Sequence, residues 1–359
     1  MGNFVSKCCC CTETDVQNPT PTKHSKTTSR QDIPLNLLKS IQRVTKLNKS
    51  KLKTTTAPPT YKRLSKPITL LLEDPPVYDV LVVGSGYGGG VLASRISRAG
   101  QKVCMLERGQ ERWPGEYPNT FASLLENAQV RSAAVPQLGP KDAFFDFRLE
   151  NGVYIWIGCG LGGGSLVNSG VSIKPDLRVF DDPRWPKEIQ QDKNTKLKDG
   201  FDAAEAVLRP AQYPDQATKP LPRVTRFQEA AKHLQSNGYP QAKATLATVN
   251  VSFKAAEPNP QNVVQPACTG CGDCNTGCNV GAKNTVLMNY LPDAVDHGTD
   301  IFTQVEVQYI TKNETNEKQW VRFKIEKMKC IGKLCHHYNS CNYRYCDFFE
   351  LDSYFNVFD

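Results

Sequence analysis

The sequence predicts an α/β fold built on a parallel sheet, and three observations lead to it. Strand and helix signals alternate from residue 78 to about residue 172, as they do where crossover helices cover parallel strands. The apolar stretch 78–83 runs without a gap into Gly84-Ser85-Gly86-Tyr87-Gly88-Gly89. A second apolar strand, 102–106, then ends on the acid Glu107.

The segment before that core follows from composition. The chain has 359 residues, 39% hydrophobic and 22% charged, enough for one large core or two modest domains. Residues 1–72 hold thirteen Lys/Arg and three Asp/Glu, a net of +10, so the remainder carries −2 of the total +8. The basic character therefore belongs to the tail. It has few aromatics for base stacking and no recognition motif, which argues against a nucleic-acid partner. Residues 12–76 are rich in Thr, Ser, Lys and Pro, a composition that buries too little apolar surface to offset chain entropy. Residues 1–76 are thus expected to form a disordered basic tether. Within it, Leu37, Leu38, Ile41, Val44 and Leu47 recur at helical spacing between basic residues. A short amphipathic helix over 34–47 would lie on a membrane surface or dock on the body.

The extreme N-terminus carries an acylation pattern, with Gly2 after the initiator and Ser6 four residues on. One myristoyl chain on Gly2 binds membranes only marginally. Palmitoylation at Cys8, Cys9, Cys10 and Cys11, and the basic stretch from Lys39 to Lys53, supply second signals. The expectation is a lipid anchor on the cytoplasmic face of a membrane; the alternative is a plain disordered extension of a cytoplasmic protein. No apolar core follows the start methionine, and no apolar run reaches the roughly 18 to 20 residues of a membrane span. In the reducing setting this suggests, clustered thiols point to metal binding or acylation rather than disulfides.

The glycines of the first turn each have a task. Gly84 permits a tight turn, Gly86 lets the backbone approach a pyrophosphate, and Gly89 lets the next helix pack closely on the strand. The helix over 90–99 points its free N–H groups and positive dipole end at the phosphates, with Tyr87 and Gly88 at the turn. Glu107 lies 23 residues after Gly84, where a carboxylate accepts the ribose hydroxyls of an adenosine half. An acid there disfavours a 2′-phosphate, leaving FAD or NAD.

A second glycine run separates those two. Trp156-Ile157-Gly158-Cys159-Gly160-Leu161-Gly162-Gly163-Gly164-Ser165-Leu166-Val167-Asn168 has five glycines within seven positions, flanked by large apolar residues. Flexible linkers lack such flanks. Glycines in apolar sequence mark a backbone pressed against something flat or bulky, and a flavin ring fits.

The pair GSGYGGG (84–90) and GCGLGGGSLVNSG (158–170) resembles the flavin-contacting segments of glucose–methanol–choline (GMC) oxidoreductases. The resemblance to the cholesterol-oxidase-like branch runs from residue 78 to about 312, through Leu106-Glu107-Arg108-Gly109, Asp182-Pro183-Arg184-Trp185-Pro186 and Asn289-Tyr290-Leu291-Pro292. It implies a Rossmann-like FAD-binding domain over 77–329 with an incomplete substrate domain. FAD would place its pyrophosphate at Gly84, Gly86, Tyr87, Gly88 and Gly89 and its ribose on Glu107. Gly163, Gly164, Asn168 and Ser169 would lie beside the isoalloxazine, and the strand bearing Val307 would contact adenine. Ser169 stands where the family often has a glycine.

Cys268, Cys271, Cys274 and Cys278 have the C-x2-C-x2-C-x3-C spacing of bacterial ferredoxin loops, able to hold a 4Fe-4S cluster. Zinc on the same thiolates and four unliganded thiols are the alternatives. The proline that usually follows the fourth cysteine is here Asn279.

Flavin alcohol oxidation needs a base for the hydroxyl proton. The resemblance places that base, a histidine, near the C-terminal end of a longer chain. His24, His233, His297, His336 and His337 do not sit in that context, so none is assigned a catalytic role. Residues 330–359, with Cys330, Cys335, Cys341 and Cys346, show neither helical nor strand period and are expected to be an unstructured, atypical tail. Taken together, the resemblance implies an FAD-dependent oxidoreductase for CH–OH groups of a sterol or other lipophilic alcohol. The alternatives are an inactive flavin-binding fragment and an iron–sulfur electron-transfer module.

Overall fold

The computed structural model describes residues 61–73, 77–214, 221–254, 257–312, 319–325, 344–347 and 353–356. The acylation sites Gly2 and Cys8 to Cys11, the helix expected over 34–47, and His24, His336 and His337 lie outside the described residues.

In chain order the elements are α1 (Thr69–Glu73), β1 (Val80–Val83), α2 (Tyr87–Arg98), β2 (Val103–Leu106), α3 (Phe121–Glu126), β3 (Ala128–Ser132), β4 (Phe145–Glu150) and β5 (Val153–Gly158). Then come α4 (Lys187–Asp192), α5 (Lys196–Leu208), α6 (Pro222–Ser236), β6 (Glu257–Pro258), β7 (Val264–Gln265), α7 (Tyr290–Asp296) and β8 (Asp300–Phe302). Four more strands end the series: β9 (Val305–Lys312), β10 (Gln319–Ile325), β11 (Arg344–Asp347) and β12 (Ser353–Asn356).

The central sheet has the order β12-β1-β2-β8 and is parallel throughout, with Val80 opposite Val103 and Cys104 opposite Asp300. Its inner strands are buried at Val80, Leu81 and Val82 in β1 and over all of β2. That explains their continuous apolar runs, since a parallel sheet is covered on both faces. Each such side chain is worth about 1.5–3 kcal/mol on burial. Beside the main sheet stand the sheets β3-β4-β5 and β11-β10-β9 and a two-stranded ribbon, β6-β7.

Small residues let α2 sit tightly on its neighbours. Its buried positions are Gly89, Gly90, Ala93, Ser94 and Ser97, spaced to form one face of a helix. A Cβ on Gly90 would lie 2.3 Å from Val286. On the same face Ser94 donates to Asp293 Oδ2 at 2.5 Å, and Arg98 pairs with the same carboxylate of α7. By contrast, α4, α5 and α6 bury no residue fully and are peripheral.

Two boundaries differ from the sequence reading. The packed body already includes residues 61–73. Tyr61 stacks on Trp113 with ring centroids 4.7 Å apart, Leu64 and Leu71 are buried, and Lys66 N–H donates to Ile301 O at 2.8 Å. Glu111 ties this segment down, accepting from Leu64 N, Ser65 N and Trp113 Nε1. Three apolar anchors scattered through Thr- and Lys-rich sequence give no periodicity to read. At the other end, the described part of 330–359 consists of two strands. β12 pairs in parallel with β1 and β11 antiparallel with β10. Open strand edges recruit partners through the backbone, without a side-chain period.

Candidate functional site

Between β1 and α2 the chain turns through Gly84-Ser85-Gly86. Gly84 adopts φ +88°, which glycine reaches without penalty, while its N–H donates to Leu106 O. A Cβ on Gly89 would lie 2.0 Å from Gly84 O, so the helix can approach the turn only without a side chain there. Gly86 caps α2 in extended conformation and no side chain bonds the first-turn N–H groups. Those donors remain for an anion. Tyr87 and Gly88 are exposed at this end.

Glu107 follows β2 and is 6% exposed. Its Oε2 accepts from Ser85 N at 3.1 Å and Ser85 Oγ at 2.6 Å; its Oε1 accepts from Gly109 N at 2.7 Å. Burial raises its pKa, against the opposing effects of those hydrogen bonds and of Arg108. Oε1 accepts one bond from the chain and keeps acceptor capacity for a hydroxyl. Ser85 also reaches the second glycine run, accepting from Gly162 N at 2.9 Å. One hydroxyl thus joins the first glycine turn, the acid and the second run.

The glycines of the second run divide by task. A Cβ at Gly158 would lie 2.6 Å from Gly163 O, and one at Gly109 2.3 Å from Gly160 N. The flat object these two press against is the protein's own backbone. Gly164, in the 3-10 turn Gly163–Leu166, faces open space and offers a flat approach to a ring. Asn168 Nδ2 donates to Tyr87 Oη at 2.7 Å, bringing the two predicted segments together. Ser169 is exposed and its hydroxyl donates to Asn275 Oδ1 at 3.0 Å. Val307 lies on β9, partly buried against the cluster of Tyr78, Leu81 and Phe302, and Val305 N–H donates to Glu107 O at 2.9 Å. These residues fit a dinucleotide: free N–H donors, a buried acid, and an open glycine between them.

The metal expectation finds no support in the described residues. Among the described residues no three His, Cys, Asp or Glu side chains gather as a metal-ligand set. Cys268, Cys271, Cys274 and Cys278 are free thiols within electrostatic reach of one another, but Cys271 is exposed. Protein contacts shape their loop instead. A Cβ on Gly277 would lie 2.3 Å from the Tyr117 ring. Asn279 Oδ1 accepts from Gly115 N and Tyr117 N, while its Nδ2 donates to Tyr117 O. The asparagine in the proline's place is therefore a structural clasp.

Sequence reasoning missed Ser85, Asn279 and Lys283. Only Asn279 had a readable signal, its departure from the ferredoxin pattern. Lys283 is buried, and its ammonium donates to the carbonyls of Leu166, Asn168 and Cys274. Of the described histidines, His233 is exposed on α6, and His297 places Nδ1 2.7 Å from Asp293 O at the end of α7.

Two glycine turns joined through a serine to one buried acid make a dinucleotide-binding oxidoreductase domain. The chain belongs to the GMC oxidoreductase family, whose family model matches residues 78–336, and the family implies FAD. It is 30% identical over 242 residues to a cholesterol oxidase of Mycobacterium tuberculosis (strain CDC 1551 / Oshkosh), covering 65% of this chain and 40% of that one. A cholesterol oxidase of Acinetobacter baumannii is 26% identical over 237 residues, covering 64% and 40%. The long-chain-alcohol oxidase FAO3 of Arabidopsis thaliana is 26% identical over 268 residues, covering 73% and 30%. Among solved structures, pyridoxine 4-oxidase from Mesorbium loti aligns over 78% of this chain and 49% of that one, at 13% identity and TM-score 0.39. The chain thus spans 40% or less of the length of these curated relatives.

Proposed function

We propose that this chain is the FAD-binding part of a flavoprotein that oxidises a lipophilic alcohol of the sterol or long-chain kind. The observation that carries the reading is the junction at Ser85, which holds the phosphate turn, Glu107 and the second glycine run in one unit. In it the first turn of α2 would hold the pyrophosphate, Glu107 would orient the ribose, and Gly164 with Asn168 would receive the ring, where FAD would supply a hydride acceptor. The substrate class is supported by what the relatives are named for, cholesterol oxidases and a long-chain-alcohol oxidase. Purified full chain should carry flavin absorbance, and a lipophilic alcohol should bleach it anaerobically. A flavin that neither a sterol nor a long-chain alcohol bleaches would refute the substrate reading.

A second reading, a flavin-binding piece without alcohol chemistry, is favoured by the described histidines. His233 is exposed on α6 and His297 is engaged at its own helix end. The same anaerobic experiment separates the two. Gly2 and Cys8 to Cys11 support membrane tethering by acylation; loss of membrane recovery in a Gly2→Ala variant tests it.

A further inference from the structure

Lys283 is 2% exposed in a place where a buried ammonium needs a reason. Among the described residues the ionisable groups that act on it are the thiols of Cys274 and Cys278, and no carboxylate does. Its acceptors are all main-chain carbonyls: Leu166 at 3.2 Å, Cys274 at 3.0 Å, and Asn168. Leu166 closes the 3-10 turn that begins at Gly163, so the cation sits at the end where carbonyls gather negative charge. No strand or α-helix secures residues 166–168. A small pocket lined by Pro114, Tyr117, Leu166, Cys278, Lys283 and Met288 lies alongside.

We propose that Lys283 is a positioning residue for the flavin-receiving segment. Its ammonium fixes the carbonyls of Leu166 and Asn168 against the cysteine loop, and so holds Gly164 and the Asn168 side chain in place. The inference rests on the FAD reading above and adds a part to it. The cysteine loop then acts as an abutment for the second glycine run, with Ser169–Asn275 as a second tie.

Titrating FAD into the full chain at neutral pH, read by flavin fluorescence and visible spectrum, tests the clamp. Lys283→Met should bind FAD about tenfold more weakly than wild type, the loss of about 1.4 kcal/mol of charge-assisted hydrogen bonding, with an altered flavin spectrum. Lys283→Arg, which keeps the cation, should bind as the wild type does.

A Lys283→Met variant with wild-type affinity and spectrum overturns the proposal. So does a folded Lys283→Arg variant that binds as weakly as Lys283→Met. If Lys283→Met does not fold by circular dichroism, Lys283→Gln is titrated in its place, and wild-type affinity and spectrum there overturn the clamp. A wild type that binds no FAD overturns the flavin reading itself and the clamp with it.

Discussion

Asn168 donates its side-chain amide to the phenolic oxygen of Tyr87 at 2.7 Å, across 81 residues of sequence. The bond joins the first turn of α2 to the end of the second glycine run, the two segments to which the proposed FAD site assigns its phosphates and ring.

Tyr87→Phe removes the acceptor and leaves the ring. Tyr87 is exposed and Asn168 half-buried, so global stability should change little. A hydrogen bond of this kind is worth about 0.5–1.5 kcal/mol. FAD affinity should fall roughly two- to tenfold, as read by fluorescence titration, with an unchanged melting temperature.

Gly89→Ala and Gly164→Ala should behave oppositely. The first drives a methyl to 2.0 Å from Gly84 O, whereas the second adds one where nothing lies within 4 Å. Gly89→Ala should cost about 1–3 kcal/mol or more of stability. Gly164→Ala should melt like wild type yet bind FAD more weakly. Thermal melts with and without FAD separate the two effects.

The buried Asp146 accepts from Arg108, Arg131 and Arg148 through one carboxylate oxygen. Burial alone would raise its pKa; the hydrogen bonds and charges of the arginines outweigh that and hold it below the ordinary carboxylate value. A depressed carboxylate stabilises the fold above its unfolded value, near 3.9, and that stability is lost as pH falls through the folded value. Asp146→Ala should destabilise the fold, chiefly through Arg108, the least exposed of the three arginines. Urea melts of Asp146→Asn should lack this part of the acid-linked loss seen in the wild type.

The central fold was legible because β1, β2 and the turn at Gly84 announce themselves through unbroken apolar runs and glycine spacing. Glu107 was readable from its place at the end of β2, whereas Gly164 and Asn168 came only from the family resemblance. What was not legible depends on distant partners. Ser85 looks like a spacer between glycines until Glu107 and Gly162 are seen on its hydroxyl. The cysteine spacing matches a ferredoxin loop, but Gly277 and Asn279 fold that loop around Tyr117. The anchors Tyr61, Leu64 and Leu71 sit in a stretch whose average composition hides them.

Burial of Lys283 links stability to pH. It lowers the folded pKa to about 8, below the unfolded value of about 10.4, so between them the unfolded chain holds more protons and this group's contribution to stability rises with pH. The melting temperature of wild type relative to Lys283→Met should climb from about pH 8 to about pH 10.

Because the four loop cysteines are not gathered as a ligand set, treatment with a strong chelator should leave the melting temperature and flavin content unchanged. Metal analysis of the untreated protein checks the same point, and stoichiometric iron or zinc would contradict it.

The most direct measurement is the flavin content of the purified full chain, read as visible absorbance before and after reconstitution with FAD. Two glycine turns locked through Ser85 to Glu107 predict a yellow protein with stoichiometric FAD, lost in Gly89→Ala. A colourless chain that remains so after incubation with FAD would contradict the site.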